Sequence, residues 1–102
     1  MDEKIGEAVK RLIEEQFYYV QYPKAQETSI WVDRDGRVTL IDKLDSDHLE
    51  RCIHLVERDI LNFKKTWKSD MRYAELEEII ITRAEALLST MKSEFRSRAD
   101  NI

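Results

Sequence analysis

Ser29-Ile30-Trp31-Val32, Asp35-Gly36, Val38-Thr39-Leu40-Ile41 and Asp47-His48-Leu49-Glu50 succeed one another between Thr28 and Trp67, and their reading decides the fold. In an extended strand successive side chains alternate, so Ile30 and Val32 point one way and Trp31 the other. On the return, Val38 and Leu40 share a face while Thr39 and Ile41 take the opposite one. Asp35-Gly36 supplies the positive-φ residue that a tight turn needs. The stretch therefore reads as a β-hairpin over 29–42 feeding a helix. Two strands alone are marginal in water, so one face must lie on helices or pair with another subunit.

Asp45, Ser46 and Asp47 are all good helix N-caps, and two local devices compete over which is used. Asp47 with Glu50 makes a capping-box-like pair, whereas Asp45 as cap sets Leu44 against Leu49 as a hydrophobic staple. Beyond them Leu49, Ile53, Val56, Ile60, Phe63 and Trp67 follow a heptad seam, which predicts a helix over 46–67. Residues 70–97 predict a further helix, with Leu76, Ile80, Ala84, Leu87, Met91 and Phe95 inward and Ile79, Ile81 and Leu88 widening the stripe. Ser69 and Asp70 suit a new start, and two antiparallel helices would bury both stripes against each other. The alternative is one continuous helix over 46–97, roughly 78 Å long and stable only in an oligomeric coiled coil.

Upstream, Ile5, Ala8, Val9, Leu12, Ile13, Phe17 and Val20 recur at helical spacing and predict a first helix over 2–20, stopped before Pro23. The expected architecture is a single α+β domain over 1–102: an N-terminal helix, a two-stranded antiparallel hairpin and a long C-terminal helical hairpin.

Composition bounds the function. The 102 residues carry 42% hydrophobic and 37% charged side chains, with two Gly and one Pro, which favours long helices over loops. A net charge of −4 and a pI near 5.2 give no general field for nucleic acid or anionic lipid, so direct nucleic-acid binding is not expected. One cysteine, Cys52, rules out an internal disulfide and fits a reducing compartment. No run approaches the ~20 apolar residues that cross a bilayer, and the first residues hold no apolar signal core. The expectation is cytosolic.

Chemistry-bearing residues are few. His48 and Cys52 stand at i and i+4, half of a zinc site, but a third and fourth ligand are missing from that face. No Gly-rich turn accompanies them to hold an oxyanion. They read as an N-terminal-turn histidine and a small buried thiol, with no catalytic residue, metal or cofactor expected. Tyr18, Tyr19 and Tyr22 cluster with Phe17 at the end of the first helix, offering a contact surface for a partner protein or a stacking surface for a base. Between Arg58 and Arg72 five cations (Arg58, Lys64, Lys65, Lys68, Arg72) face two acids (Asp59, Asp70). Lys64, Lys65, Lys68 and Arg72 are thus the second candidate binding patch, flanking Phe63 and Trp67.

The pattern Trp31-Val32-Asp33-Arg34-Asp35-Gly36, Leu40-Ile41, Leu44, His48-Leu49 and Cys52-Ile53 resembles short proteins encoded by bacteriophages and prophages, whose function is unassigned. The resemblance covers about a quarter of the chain and brings no catalytic or binding residue with it. What it implies is a small accessory protein of a mobile element, working in the host cytosol. The functional expectation is a non-enzymatic anti-defence inhibitor, anti-CRISPR-like in action, that binds a host protein. An acidic chain suits a partner with a basic groove, such as a nucleic-acid-binding defence effector. Self-association as a homodimer or higher homo-oligomer is expected from the wide apolar stripes. The alternative is an oligomeric sponge for a nucleotide second messenger, with Tyr18, Tyr19 or Trp31 stacking on the base.

Overall fold

A computed structural model describes residues 15–21, 27–66 and 74–100 of the chain. Its elements in order are strand β1 (Ile30–Val32), strand β2 (Val38–Leu40), a 3-10 turn (Ile41–Lys43), helix α1 (Ser46–Thr66) and helix α2 (Ala74–Asp100). The α+β arrangement of a hairpin on a helical pair is thus the one expected.

The strands pair antiparallel in the register Ile30↔Leu40, Trp31↔Thr39 and Val32↔Val38. Ile41 N–H adds one more rung by donating to Ser29 O at 2.9 Å. Asp33 organises the connection. Its carboxylate Oδ1 accepts the N–H groups of Asp35 and Arg37, each at 2.9 Å, and its carbonyl accepts Gly36 N–H at 3.0 Å. Gly36 has φ +84°, the left-handed conformation that its missing Cβ makes cheap, and no other described residue but glycine has a positive φ. The connection is a turn closed by a bulge-type glycine, one residue wider than a two-residue tight turn.

Asp45 wins the competition for the cap of α1. Its Oδ1 accepts His48 N–H at 2.8 Å and its carbonyl accepts Leu49 N–H at 2.9 Å. Leu44 and Leu49, on either side of that cap, are both buried, as the hydrophobic staple requires. The cap is worth about 1 kcal/mol.

α1 and α2 run antiparallel. Lys64 Nζ reaches Glu85 Oε1 at 3.3 Å and Lys92 Nζ reaches Glu57 Oε2 at 3.1 Å, so residues advancing along one helix meet residues receding along the other. One continuous helix over 46–97 is thereby overturned, because folding the second stripe back lets the chain bury both within itself. Leu49, Ile53, Val56, Ile60 and Phe63 of α1 and Ile80, Ala84, Leu87 and Met91 of α2 are all core residues. At the far end Arg98 donates to Glu94, to Ser46 Oγ and to the carbonyls of Ile41 and Asp42, between 3.1 and 3.3 Å, tying α2 to the exit of the hairpin.

Most of the expected first helix, residues 2–14, lies outside the described residues. Its expected end is corrected. Glu15 is helical, but Phe17–Val20 form a turn closed by Val20 N–H donating to Phe17 O at 3.0 Å. The reason is packing. Phe17, Tyr19 and Val20 are all buried here, whereas a helix would turn position 19 about 200° away from position 17. Leaving the helix brings all three onto the core.

Candidate functional site

Five aromatic rings join the 17–20 turn, the hairpin and α1. Phe17 meets Phe63 edge-on at 5.7 Å and Tyr19 at 6.0 Å. Tyr19 stacks on Trp31 with centroids 5.1 Å apart and planes 16° from parallel. Tyr18 stands edge-on to both, at 5.2 Å from Tyr19 and 6.5 Å from Trp31. Trp31 is therefore the wedge that fixes the inner face of the hairpin to the core.

Tyr19 has no exposed surface, and its Oη donates to Asp59 Oδ2 at 2.8 Å. Burial raises the pKa of the Asp59 carboxyl, against the lowering effects of the Tyr19 bond and the Arg58 charge. The Tyr19 phenol is itself pushed up by burial and by the neighbouring Asp59 charge. Tyr19 is thus corrected from a contact residue to a core residue, drawn inward by Trp31 and Asp59.

Tyr18 remains half-buried, with the Arg34 guanidinium 5.4 Å from its ring centroid. Burial raises its phenol, and Arg34 opposes the shift. The two residues edge an open groove of about 390 Å³, between the hairpin connection and the first turns of α1. Trp31, Cys52 and Leu55 line it, with His48 and Arg51 from α1 and Asp33 and Asp35 from the connection. His48 and Cys52 thus share a groove, as their spacing implies. Among the described residues no group of three or more His, Cys, Asp or Glu side chains is placed to hold a metal ion.

Burial also pushes the Cys52 thiol up to about 11, which leaves roughly one molecule in ten thousand as thiolate at pH 7. At about pH 8, iodoacetamide is expected to modify the folded chain about 100-fold more slowly than the urea-unfolded chain, as read by intact mass. Equal rates would contradict the burial.

The basic patch is only partly in view. Lys65 is exposed, and Lys64 is exposed but faces Glu85, which offsets its charge. Phe63 is core, as its seam position requires. Tyr22, Lys68 and Arg72 lie outside the described residues, as does Trp67.

The sequence reading does not single out the outer face of the hairpin. Ile30 pairs with Leu40 and Val32 with Val38, so all four side chains stand on the face opposite Trp31. Val38 is 61% exposed and Leu40 50%, the most exposed large apolar side chains of the sheet. A patch of this kind marks a contact surface more often than an isolated exposed leucine does. The sequence carries half of this signal: the hairpin is apolar on both faces and one of them must be left off the helices, but alternation does not say which. Beside Leu40 a second groove, of about 570 Å³, runs between the hairpin exit and the Ser89, Ser93 and Ser97 side of α2.

No known protein family, curated protein or solved structure matches this chain. Among the described residues no helix is long and apolar enough to cross a membrane.

Proposed function

We propose that the chain is a non-enzymatic binding protein that occludes a host protein, in the manner of a phage-encoded anti-defence inhibitor. The observation that carries this reading is the outer face of the hairpin: Ile30, Val32, Val38 and Leu40 stand together, two of them at least half exposed, on a sheet whose other face is packed on the core through Trp31. Among the described residues the sheet contains only this pair, so each strand has one edge with no further strand on it. Open edges beside an apolar face favour addition of a partner strand or packing of a partner helix. The likeness of Trp31–Ile53 to short phage proteins supplies the mobile-element setting, and the net charge of −4 supports a partner with a basic surface.

The sponge alternative draws less support. A base-stacking site needs free aromatic faces, whereas Trp31 and Tyr19 cover each other and Arg34 lies over Tyr18. An enzyme working through Cys52 is disfavoured by a thiol held far above neutral pH.

The test is functional. Expression of the chain in bacteria carrying defined defence systems should restore phage plaquing against at least one of them. Val38→Lys together with Leu40→Lys should remove that effect while leaving circular dichroism and urea stability unchanged, since both side chains face solvent. Restored plaquing that survives the double substitution would reject the hairpin face as the working surface. No restoration across the panel would count against the anti-defence role.

A further inference from the structure

We propose that the partner adds an extended strand antiparallel along the outer edge of β2, setting apolar side chains beside Val38 and Leu40 and a lysine or arginine against Asp42. This mode of engagement rests on the binding reading above and specifies how the hairpin face is used.

The first support is the backbone. Ile41 N–H donates to Ser29 O and Asp33 N–H to Arg37 O, so the bonded rungs of the hairpin are 29/41, 31/39 and 33/37. Residues between the rungs turn their backbone groups away from the neighbouring strand. On β2 these are the N–H and C=O of Val38 and the N–H of Leu40, since the Leu40 carbonyl begins the 3-10 turn over Ile41–Lys43. None of the three has a partner among the described residues. A protein that covers Val38 and Leu40 takes these groups out of water, and leaving them unpaired there works against binding. An extended strand pairs all three, whereas a helix pairs none.

The second is which edge is open. Val38 is 61% exposed and Leu40 50%, whereas Ile30 and Val32 on β1 are half-buried. Val38-Thr39-Leu40 carries neither a proline nor a charge, the usual guards of a strand edge. The antiparallel direction follows from the ladder, because one residue opposite Val38 can then exchange both bonds with it. Three residues make a short ladder, so side chains have to add to it.

The third is charge. Past Leu40 the chain enters the groove of about 570 Å³ over α2, whose lining holds Asp42 and Glu94 and, among the described residues, no cation. Arg98 Nε donates to Glu94 Oε1 at 3.1 Å. That leaves Asp42 as the unbalanced acid, since its carboxylate makes no hydrogen bond or ion pair among the described residues. The hydroxyls of Ser89, Ser93 and Ser97 add acceptors along the same wall. In an antiparallel register the partner residue two before the one opposite Leu40 falls beside Asp42. A cation there completes a cation–apolar–apolar alternation on one face of the added strand.

The test uses the full-length chain labelled with nitrogen-15 and three peptides: acetyl-Lys-Thr-Val-Thr-Val-Thr-amide, the same peptide with both valines N-methylated, and the same peptide with Glu in place of Lys. The lysine peptide should shift the amides of Val38, Leu40 and Asp42. At about nine-tenths occupancy it should slow hydrogen exchange at Val38 and Leu40 roughly tenfold, because both donors are then bonded. N-methylation removes the donor that faces the Val38 carbonyl and should abolish the shifts. Asp42→Asn should weaken the lysine peptide roughly two- to fivefold, the size of one exposed ion pair. Equal binding of the methylated peptide would overturn strand addition, and protection at Ile30 and Val32 instead would overturn the choice of edge. Equal affinity of the lysine and glutamate peptides would overturn the role of Asp42. No shift with any peptide at millimolar concentration would overturn the proposal outright. No defence system enters this experiment, so a seated peptide alongside unrestored plaquing would reject the anti-defence role and leave the strand site standing.

Discussion

Trp31→Ala is expected to cost about 3–5 kcal/mol of folding stability, the range for emptying a buried aromatic site. Trp31 is 3% exposed, and it is the inner-face residue through which β1 reaches the core. Alanine removes the stack on Tyr19 and the edge contact with Tyr18 together, and leaves a hole bounded by the 17–20 turn and α1. Small domains have roughly 5–15 kcal/mol in all, so the variant should sit near its unfolding threshold at room temperature. Urea denaturation followed by far-ultraviolet circular dichroism measures the loss. Trp31→Phe, which keeps an apolar ring in place, should lose clearly less than alanine. A loss under about 1 kcal/mol for alanine would mean that the hairpin is held by something other than this wedge.

Tyr19→Phe is expected to destabilise the chain by about 2 kcal/mol at neutral pH, although it keeps the ring stack and deletes a single oxygen. The reason is Asp59, only 6% exposed, whose Oδ2 accepts the phenol hydrogen at 2.8 Å. Arg58 does not replace that bond: its guanidinium is 3.8 Å away and mostly in water. Without the phenol the carboxylate is left buried and poorly paired, which costs far more than the bond contributed. Replacing both partners with apolar residues, Tyr19→Phe with Asp59→Leu, should recover most of the loss.

The same pair sets a pH dependence. Burial raises the Asp59 carboxyl above its ordinary 3.8, so the folded chain holds this proton more tightly than the unfolded chain does. The contribution of this group to stability is therefore greatest below 3.8 and declines as pH rises through the raised folded value. Tyr19 lowers that folded value, so Tyr19→Phe lifts it further and extends the decline to higher pH. The substitution should accordingly cost less at about pH 4 than at about pH 7, read as the difference between two urea series. A cost that grows on acidification would contradict the assignment of Asp59 as the group left unpaired.

Periodicity makes the architecture legible in the sequence. The period-two alternation at 30–32 and 38–40 gave the two faces of the hairpin, and the seam from Leu49 to Phe63 gave the buried side of α1. Two wide stripes on one chain satisfy each other when antiparallel, which favours the helical hairpin over one long helix in the sequence and is what the structure has. The end of the first helix was misplaced because Phe17 and Val20 keep helical spacing. What decides their conformation is Tyr19 between them, drawn inward by Trp31 and Asp59, and both partners are distant in sequence. For the same reason Tyr19 passed as a surface residue.

The candidate surface was less legible than the fold. Exposure of Val38 and Leu40 follows only once Trp31 is known to take the core side, and alternation alone does not say which face that is. Arg34 and Arg51 are unremarkable in a chain with 37% charged residues, and they become a pair only when the turn closes over α1. Tyr18, by contrast, keeps part of its ring at the surface, half-buried at the edge of a groove.

The most direct measurement is a paired purification. The tagged chain and its Val38→Lys, Leu40→Lys variant are each recovered from the same defence-carrying cells, and the bound proteins are quantified by mass spectrometry. One host protein near stoichiometric amount is expected with the unaltered chain, and its loss with the variant. Recovery of the same proteins in the same amounts by both would contradict it.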